Sequence, residues 1–246
     1  MIYYIYDGSF DGLLTAIYEA YYRREGPDKI LAQQDVQENF FIRYIHIPTD
    51  EEKAHKVYQS IKTKISGDAL DNIFYVFLSD LVEAGTLIYH YLRLGWKIGG
   101  DVDKYLGDER VFGILQVRQK VLREGHRLLG LIRFSHVAGE IYYAPIEPDY
   151  QILGLVAPHF TRRLADQHWI IHDTRRGLAA MYNQKEWVLK EFVLENKLVF
   201  GEKEMEYQRL WREYFKSIAI TNRINPRLQK RNMPMKYWKN LIEKNG

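Results

Sequence analysis

The chain has 246 residues, 46% of them hydrophobic and 14% aromatic, a composition that excludes a disordered protein. It has no cysteine, which excludes a disulfide scaffold, an iron–sulfur cluster and a cysteine nucleophile. The net charge of +3 is too small to identify a partner. The N-terminus lacks the basic and apolar regions of a signal peptide, and charged residues interrupt the most apolar stretch, 73–94. We therefore expect a soluble, cytoplasmic protein without a membrane segment.

The first part of the sequence alternates short strands with helices. Ile2–Tyr6 is rich in β-branched and aromatic residues and predicts a strand, and Asp7-Gly8-Ser9 predicts a turn that caps the next helix. That helix ends before Gly26-Pro27, and its apolar face comprises Leu13, Leu14, Ile17, Tyr18, Tyr21 and Tyr22. The elements predicted next are a strand over 41–47 and helices over 48–65, 71–95 with a break near Gly85, and 108–125.

The second part of the sequence predicts strand pairs with helices between them. Leu128–Val137 and Glu140–Ile146 are typical of a hairpin that turns at Ala138-Gly139. A helix follows, with an apolar face of Ile152, Leu153, Val156, Phe160 and Leu164. Further strands are predicted at Trp169–His172, Leu178–Tyr182 and Trp187–Leu194. The last predicted helix spans about Lys203–Ile220, and its buried side comprises Leu210, Trp211, Tyr214, Phe215 and Ile218.

Together these elements predict an α+β fold. A helix-rich N-terminal part with a few strands spans 1–105, and a mainly antiparallel sheet packed with helices spans 106–246. We place the boundary near the loop at 99–107, which has several glycines.

The last 26 residues, 221–246, form a basic and aromatic C-terminal arm with a net charge of +6. Its candidate nucleic-acid contacts are Arg223, Arg227, Lys230, Arg231, Lys236, Tyr237, Trp238 and Lys239. The cations suit phosphate groups, and the rings offer stacking surfaces for bases. Alternatively, Tyr237 and Trp238 hold the arm on the core while the cations are only solvated. The two interpretations are compatible with each other.

Two double-arginine turns lie in the second part of the sequence. They consist of Arg162, Arg163, Arg175 and Arg176. The planar guanidinium group suits recognition of phosphate, so the four residues are further candidates for nucleic-acid contact. A salt bridge to a nearby acid such as Glu147 would explain any one of them equally well.

Five polar residues are candidates for acid–base catalysis: His172, Asp173, His159, Glu147 and Glu140. His172 and Asp173 end a predicted strand, where functional side chains are common. Adjacent strand residues point to opposite faces, however, so both serve one site only if the backbone turns there. The alternatives are a structural turn or a hydrogen-bonded core histidine for His172, and a helix kink at Pro158 for His159. No spacing identifies a metal site, and we predict no metal and no cofactor.

Several blocks of the sequence resemble a bacterial family of uncharacterised proteins that are described as DNA metabolism or DNA repair proteins. The blocks, in order, are YDGSFDGLLTAIYEAYYRRE, GHRLLGLIRF, IYYAPIEPDY, APHFTRRL, WIIHDTRRGLA and NPRLQKRNMPMKYWKNL. The C-terminal part of that family is domain of unknown function 4130. The resemblance implies DNA as a partner, together with a radical-SAM protein, beside which members are typically encoded. It carries no established reaction.

Three functions follow as hypotheses. The first is a DNA repair or DNA metabolism protein that binds nucleic acid and acts with a radical-SAM partner. The second is a hydrolytic or base-processing enzyme that uses the His, Asp and Glu candidates on nucleic acid. The third is a protein-binding adaptor with an aromatic surface. Because the chain has no cysteine, any radical chemistry belongs to the partner.

Overall fold

A computed structural model describes residues 1–37, 39–137, 139–194, 199–217 and 225–244. Its residues form two compact units, unit 1 at Met1–Leu122 and unit 2 at Arg123–Gly246. Within the described ranges, no helix has the length and apolar character needed to cross a bilayer.

Unit 1 is built on a parallel three-stranded sheet. Its strands are β1 (Ile2–Tyr6), β2 (Lys29–Ala32) and β3 (Arg43–His46), in the order β2-β1-β3. The helices of unit 1 are α1 (Phe10–Tyr22), α2 (Glu51–Lys64), α3 (Gly67–Phe77), α4 (Ala84–Ile98) and the first part of α5 (Glu109–Leu131). Parallel strands need crossover connections, which α1 and the loop before β3 supply. The sheet and helices share one core, which includes Tyr4, Leu13, Ile30, Ile61 and Ile88.

Local sequence signals account for where the first helices begin. Ser9 accepts a hydrogen bond from the Gly12 N–H, and Asp50 accepts one from the Lys53 N–H, so each residue caps a helix as its type favours. The predicted helix over 71–95 is two helices, since residues 78–83 separate α3 from α4. Gly85 then lies against β2: a Cβ there would be 2.6 Å from the Ile30 carbonyl oxygen. Gly85 is therefore a point of close packing.

Unit 2 contains a five-stranded mixed sheet. Its strands are β4 (Ser135–Val137), β5 (Ile141–Ile146), β6 (His168–Asp173), β7 (Leu178–Tyr182) and β8 (Trp187–Glu191), in the order β4-β5-β6-β7-β8. All neighbours are antiparallel except β5 and β6, which are parallel and connected through α6 (Leu153–Arg163). Trp169 of β6 is fully buried and stacks on Tyr182 at 5.3 Å. The predicted α+β class, with a mainly antiparallel second sheet, is confirmed.

The remaining elements of unit 2 are the last part of α5, then α7 (Glu204–Ser217), α8 (Pro226–Asn232) and a 3-10 helix at Met235–Asn240. The prediction of a strand from Leu128 is wrong, because α5 continues to Leu131 and β4 begins only at Ser135. A short apolar run is ambiguous between helix and strand, and here the long helix extends through it. Strand β2, which has four residues, is not among the predicted strands.

Candidate nucleic-acid interface

Part of the predicted C-terminal arm belongs to the core of unit 2. Tyr237 is 3% exposed and Leu241 is fully buried. The Trp238 indole N–H donates to the Met233 carbonyl at 2.9 Å, and the Lys244 ammonium lies 4.7 Å from the Trp238 ring centre. Residues 233–244 therefore fit the interpretation in which Tyr237 and Trp238 hold the arm on the core.

The anchor is organised around Glu124, a buried carboxylate of α5. Its two oxygens accept hydrogen bonds from the backbone N–H groups of Asp149 and Tyr150, at 3.0 and 2.9 Å. The Lys236 ammonium donates to Glu124 at 3.0 Å, and the Tyr237 hydroxyl also donates to it. Four donors thus satisfy a charge that would be costly to bury alone. Sequence reasoning missed Glu124, although it interrupts the apolar spacing of Val121, Leu128 and Leu131 on α5.

Lys236 and Lys239, both predicted to contact nucleic acid, form ion pairs within unit 2. Lys236 contacts Asp149 as well as Glu124, and Lys239 contacts Glu147. Burial lowers the pKa of Lys236, but its hydrogen bonds to Asp149, Tyr237 and Glu124 raise that pKa above its ordinary value. The bond from Lys239 holds the pKa of Glu147 below its ordinary value. Both lysines are therefore engaged by carboxylates within unit 2.

Helix α8 carries three solvent-exposed cations of the arm. Asn225 caps this helix by accepting from the Leu228 N–H at 3.0 Å. Arg227, Lys230 and Arg231 are exposed and follow the i, i+3, i+4 spacing of one helix face. Among the described residues, no carboxylate forms a salt bridge with any of the three. We call these three residues the α8 cationic face; Arg223 lies outside the described residues.

The arginines of the two double-arginine turns differ in their exposure and in the hydrogen bonds that they form. Arg162 and Arg163 occupy the last turn of α6 and are exposed. Arg175 is also exposed, and its guanidinium lies 3.5 Å from the Asp149 carbonyl oxygen. The Arg176 guanidinium instead donates to the Asp173 carboxylate and the Asp149 carbonyl, both at 2.7 Å. Arg176 therefore holds the loops after β5 and β6 together.

His172 and Asp173 point to opposite faces of β6, as the alternation of a strand requires. His172 is buried; its Nδ1 shares a 2.7 Å hydrogen bond with the Tyr143 hydroxyl, and its ring meets the edge of Phe192. Asp173 is fully buried and accepts from the backbone N–H groups of Arg175 and Arg176 as well as from the Arg176 side chain. Each residue thus has a separate set of partners.

The other candidates for catalysis do not converge with this pair. Glu147 follows β5 at the sheet edge where Asp173 ends β6, since Ile146 pairs with Asp173. Glu140 precedes β5 and lies at the opposite end of that strand, about 23 Å from Glu147 at 3.3 Å per residue. His159 is half-buried on α6, with its ring 5.0 Å from that of Phe160. Within the described part of the chain, no His, Asp and Glu side chains cluster as metal ligands would.

An aromatic groove of about 1090 Å³ opens between α7, β4, β5 and the end of the arm. Its lining includes Phe134, Tyr142, Tyr207, Trp211 and Tyr214. The predicted burial of the α7 apolar side is wrong for Leu210, Trp211 and Tyr214, which are 47%, 37% and 54% exposed. Helical periodicity identified the correct side of the helix, but that side borders an open groove. Phe215 is half-buried, and Ile218 lies outside the described residues.

Stability is expected to depend on pH through His172. Burial lowers the pKa of His172 below its ordinary value, so the unfolded chain takes up this proton first as the pH falls. The contribution of His172 to the free energy of unfolding is therefore complete above about pH 6.5. It is lost as the pH falls below that value. We expect urea unfolding between about pH 7 and pH 5 to show a shallower pH dependence in His172→Gln than in the parent chain. The exposed residue His55, changed to Gln, is the control; equal slopes in all three proteins would contradict the prediction.

Comparison with known proteins identifies the family of the chain and no function. No curated protein matches the sequence. The family profile described as domain of unknown function, DUF4130, matches residues 82–243, about two thirds of the chain. That range includes the whole sheet of unit 2, the Glu124 anchor, α8 and the aromatic groove. The chain therefore belongs to the DUF4130 family.

Proposed function

We propose that the chain is a DNA repair or DNA metabolism protein that binds nucleic acid through unit 2. The observation that carries this proposal is the α8 cationic face, where Arg227, Lys230 and Arg231 are exposed together and form no salt bridge with a described carboxylate. Three cations on one face can neutralise neighbouring phosphates and release their counterions. The exposed residues Arg162 and Arg163 supply further positive charge in the same unit.

The contrast within the arm supports this assignment. Lys236 and Lys239 are already paired with carboxylates, so contact with phosphate would require those ion pairs to break. The α8 cations require no such exchange. The aromatic groove adds ring surfaces on which bases can stack, which suits single-stranded or distorted nucleic acid.

A radical-SAM protein is the second part of the proposal, and it comes from the family resemblance. A chain without cysteine cannot ligate the iron–sulfur cluster that such chemistry needs. We therefore assign the binding of nucleic acid to this chain and the chemical step to the partner.

The proposal predicts the effect of changing Arg227, Lys230 and Arg231 together to Gln. Each lost phosphate contact lowers the slope of log K against log salt by about 0.7 on a single strand and about 0.9 on a duplex. The triple variant should therefore bind more weakly at low salt, with a slope smaller by about 2–3. A fluorescence-anisotropy titration across salt concentrations measures both quantities.

Point substitutions are preferable to truncation here, because a chain that ends before residue 233 loses Tyr237 and Leu241 from its core. The matched control changes three exposed lysines elsewhere, Lys120, Lys185 and Lys190, to Gln. If the α8 variant keeps the affinity and salt slope of the parent chain, the proposed interface is wrong.

A further inference from the structure

Unit 1 contains a second aromatic surface, a cleft of about 180 Å³ between α1, α2 and α4. Its lining includes Tyr18, Tyr21, Tyr22, Trp96, Lys56 and Lys64. We call it the tyrosine–lysine cleft. The sequence pattern placed Tyr21 and Tyr22 on the apolar face of α1, yet they are 62% and 70% exposed. Large rings left in water at a concave surface indicate a binding site.

The rings of the cleft form a connected and partly fixed set. The Tyr21 ring lies 5.6 Å from Trp96 and 5.7 Å from Tyr22, both edge-to-face, and Tyr22 lies 4.5 Å from Tyr18. The Trp96 indole N–H donates to the Ser60 hydroxyl at 3.1 Å, which fixes the orientation of that ring. Rings held in this way offer a flat partner for stacking at a small entropic cost.

The charge of the cleft favours an anionic ligand. Lys56 and Lys64 are exposed, and neither forms a salt bridge with a carboxylate in the described part of the chain. No Asp or Glu is among the residues that line the cleft. The neighbouring Lys53 behaves differently, since its ammonium pairs with Glu19 and Asp50. Lys56 and Lys64 therefore place positive charge beside the rings without a salt bridge of their own.

The size of the cleft limits the ligand to one ring system. Pockets that enclose whole cofactors or drug-sized molecules have volumes of roughly 300–1,000 Å³, well above 180 Å³. A single base that enters the cleft would stack against the exposed tyrosines, while its flanking phosphates would reach Lys56 and Lys64. This arrangement matches the way proteins bind single strands, with aromatic platforms beside a positive path.

We propose that the tyrosine–lysine cleft binds one unstacked base of a single-stranded nucleic acid, with Lys56 and Lys64 at the adjacent phosphates. The choice of a nucleic-acid strand as the ligand rests on the proposed function. The cleft itself is in unit 1 and uses none of the residues assigned to nucleic acid in unit 2.

The test compares two short single strands of equal length, one oligothymidylate and one abasic, with the full chain. Tyr21→Ala should weaken binding of oligothymidylate by about 5-fold to 150-fold, the usual effect of losing one base–aromatic stack. The same variant should bind the abasic strand as the parent chain does. Tyr21→Phe should keep the affinity for oligothymidylate, because the stacking ring remains. Tyr105→Ala, an exposed tyrosine outside the cleft, is the matched control.

The lysines provide a separate readout. The Lys56→Gln, Lys64→Gln double variant should lower the salt slope by about 1.4 on both strands, because both carry phosphates. If Tyr21→Ala binds oligothymidylate like the parent chain, or weakens both strands equally, the base site is wrong. Thymidine monophosphate that binds as tightly as the strand would also overturn the assignment to a strand.

The two proposals can fail separately. Loss of binding in the α8 variant with no effect of Tyr21→Ala rejects the cleft alone. A selective effect of Tyr21→Ala with no effect of the α8 variant supports the cleft and rejects the α8 interface.

Discussion

Replacement of Glu124 by Ala is expected to lower the free energy of unfolding by about 3–5 kcal/mol, because several hydrogen-bond donors lose a buried acceptor at about 1–3 kcal/mol each. The carboxylate accepts from two backbone N–H groups, from Lys236 and from Tyr237. Its removal leaves the two backbone N–H groups and the Tyr237 hydroxyl without this acceptor, whereas Lys236 keeps its contact with Asp149. Urea unfolding of the variant, followed by tryptophan fluorescence, measures the loss.

Glu124→Gln separates the charge from the shape of this side chain. The amide keeps one acceptor oxygen but places an NH₂ group against donors, so we expect a loss comparable to that of the alanine variant. The exposed residue Glu186, changed to Ala, is the matched control and should stay within about 0.5 kcal/mol of the parent chain. A loss below about 1 kcal/mol in Glu124→Ala would show that the anchor contributes little.

Asp173→Ala is the second substitution with a large expected effect, again about 3–5 kcal/mol of unfolding free energy. The Asp173 side chain is 1% exposed and that of Arg176 is 11% exposed, so water screens their 2.7 Å contact poorly. The carboxylate also accepts from two backbone N–H groups of the loop after β6. Removing it leaves a largely buried guanidinium and two N–H groups with fewer partners.

This prediction separates a structural from a catalytic role for Asp173. A structural role requires Asp173→Ala to unfold at a clearly lower urea concentration, with an intermediate effect for Asp173→Asn, which keeps one acceptor oxygen. The control is Asp166→Ala, which changes an exposed aspartate between α6 and β6. This variant should unfold at the same urea concentration as the parent chain. A folded and equally stable Asp173→Ala protein would contradict the structural role and return Asp173 to the catalytic candidates.

Much of the fold could be predicted because local signals agree with it. The strand at Ile2–Tyr6 and the strand at Leu178–Tyr182 have the predicted bounds, and the Ser9 turn caps α1. The signals were insufficient where an apolar run fits either type of element, as at Leu128–Leu131. The parallel pairing of β5 with β6 was also beyond local reasoning, since it depends on how the α6 crossover packs.

The arrangement of the polar residues could not be predicted, because it depends on contacts distant in sequence. Glu124 and Tyr237 are separated by 113 positions, and no pattern in either segment indicates that they meet. The basic composition of the arm was a correct observation, but composition does not distinguish Lys236, which is paired, from Arg231, which is exposed. Helical periodicity likewise identifies an apolar face without showing whether it is buried, as Tyr21 and Trp211 illustrate.

The burial of Tyr237 and Leu241 also affects the order in which the protein can fold during synthesis. Unit 1 uses residues up to 122, so its core can close while the ribosome is still translating the rest of the chain. The core of unit 2 is complete only after the segment 235–243 has emerged from the ribosome. Until then, the Glu124 carboxylate lacks two of its four donors, and the apolar surface beneath Tyr237 and Leu241 is uncovered. A nascent unit 2 should therefore depend on chaperones more than unit 1 does.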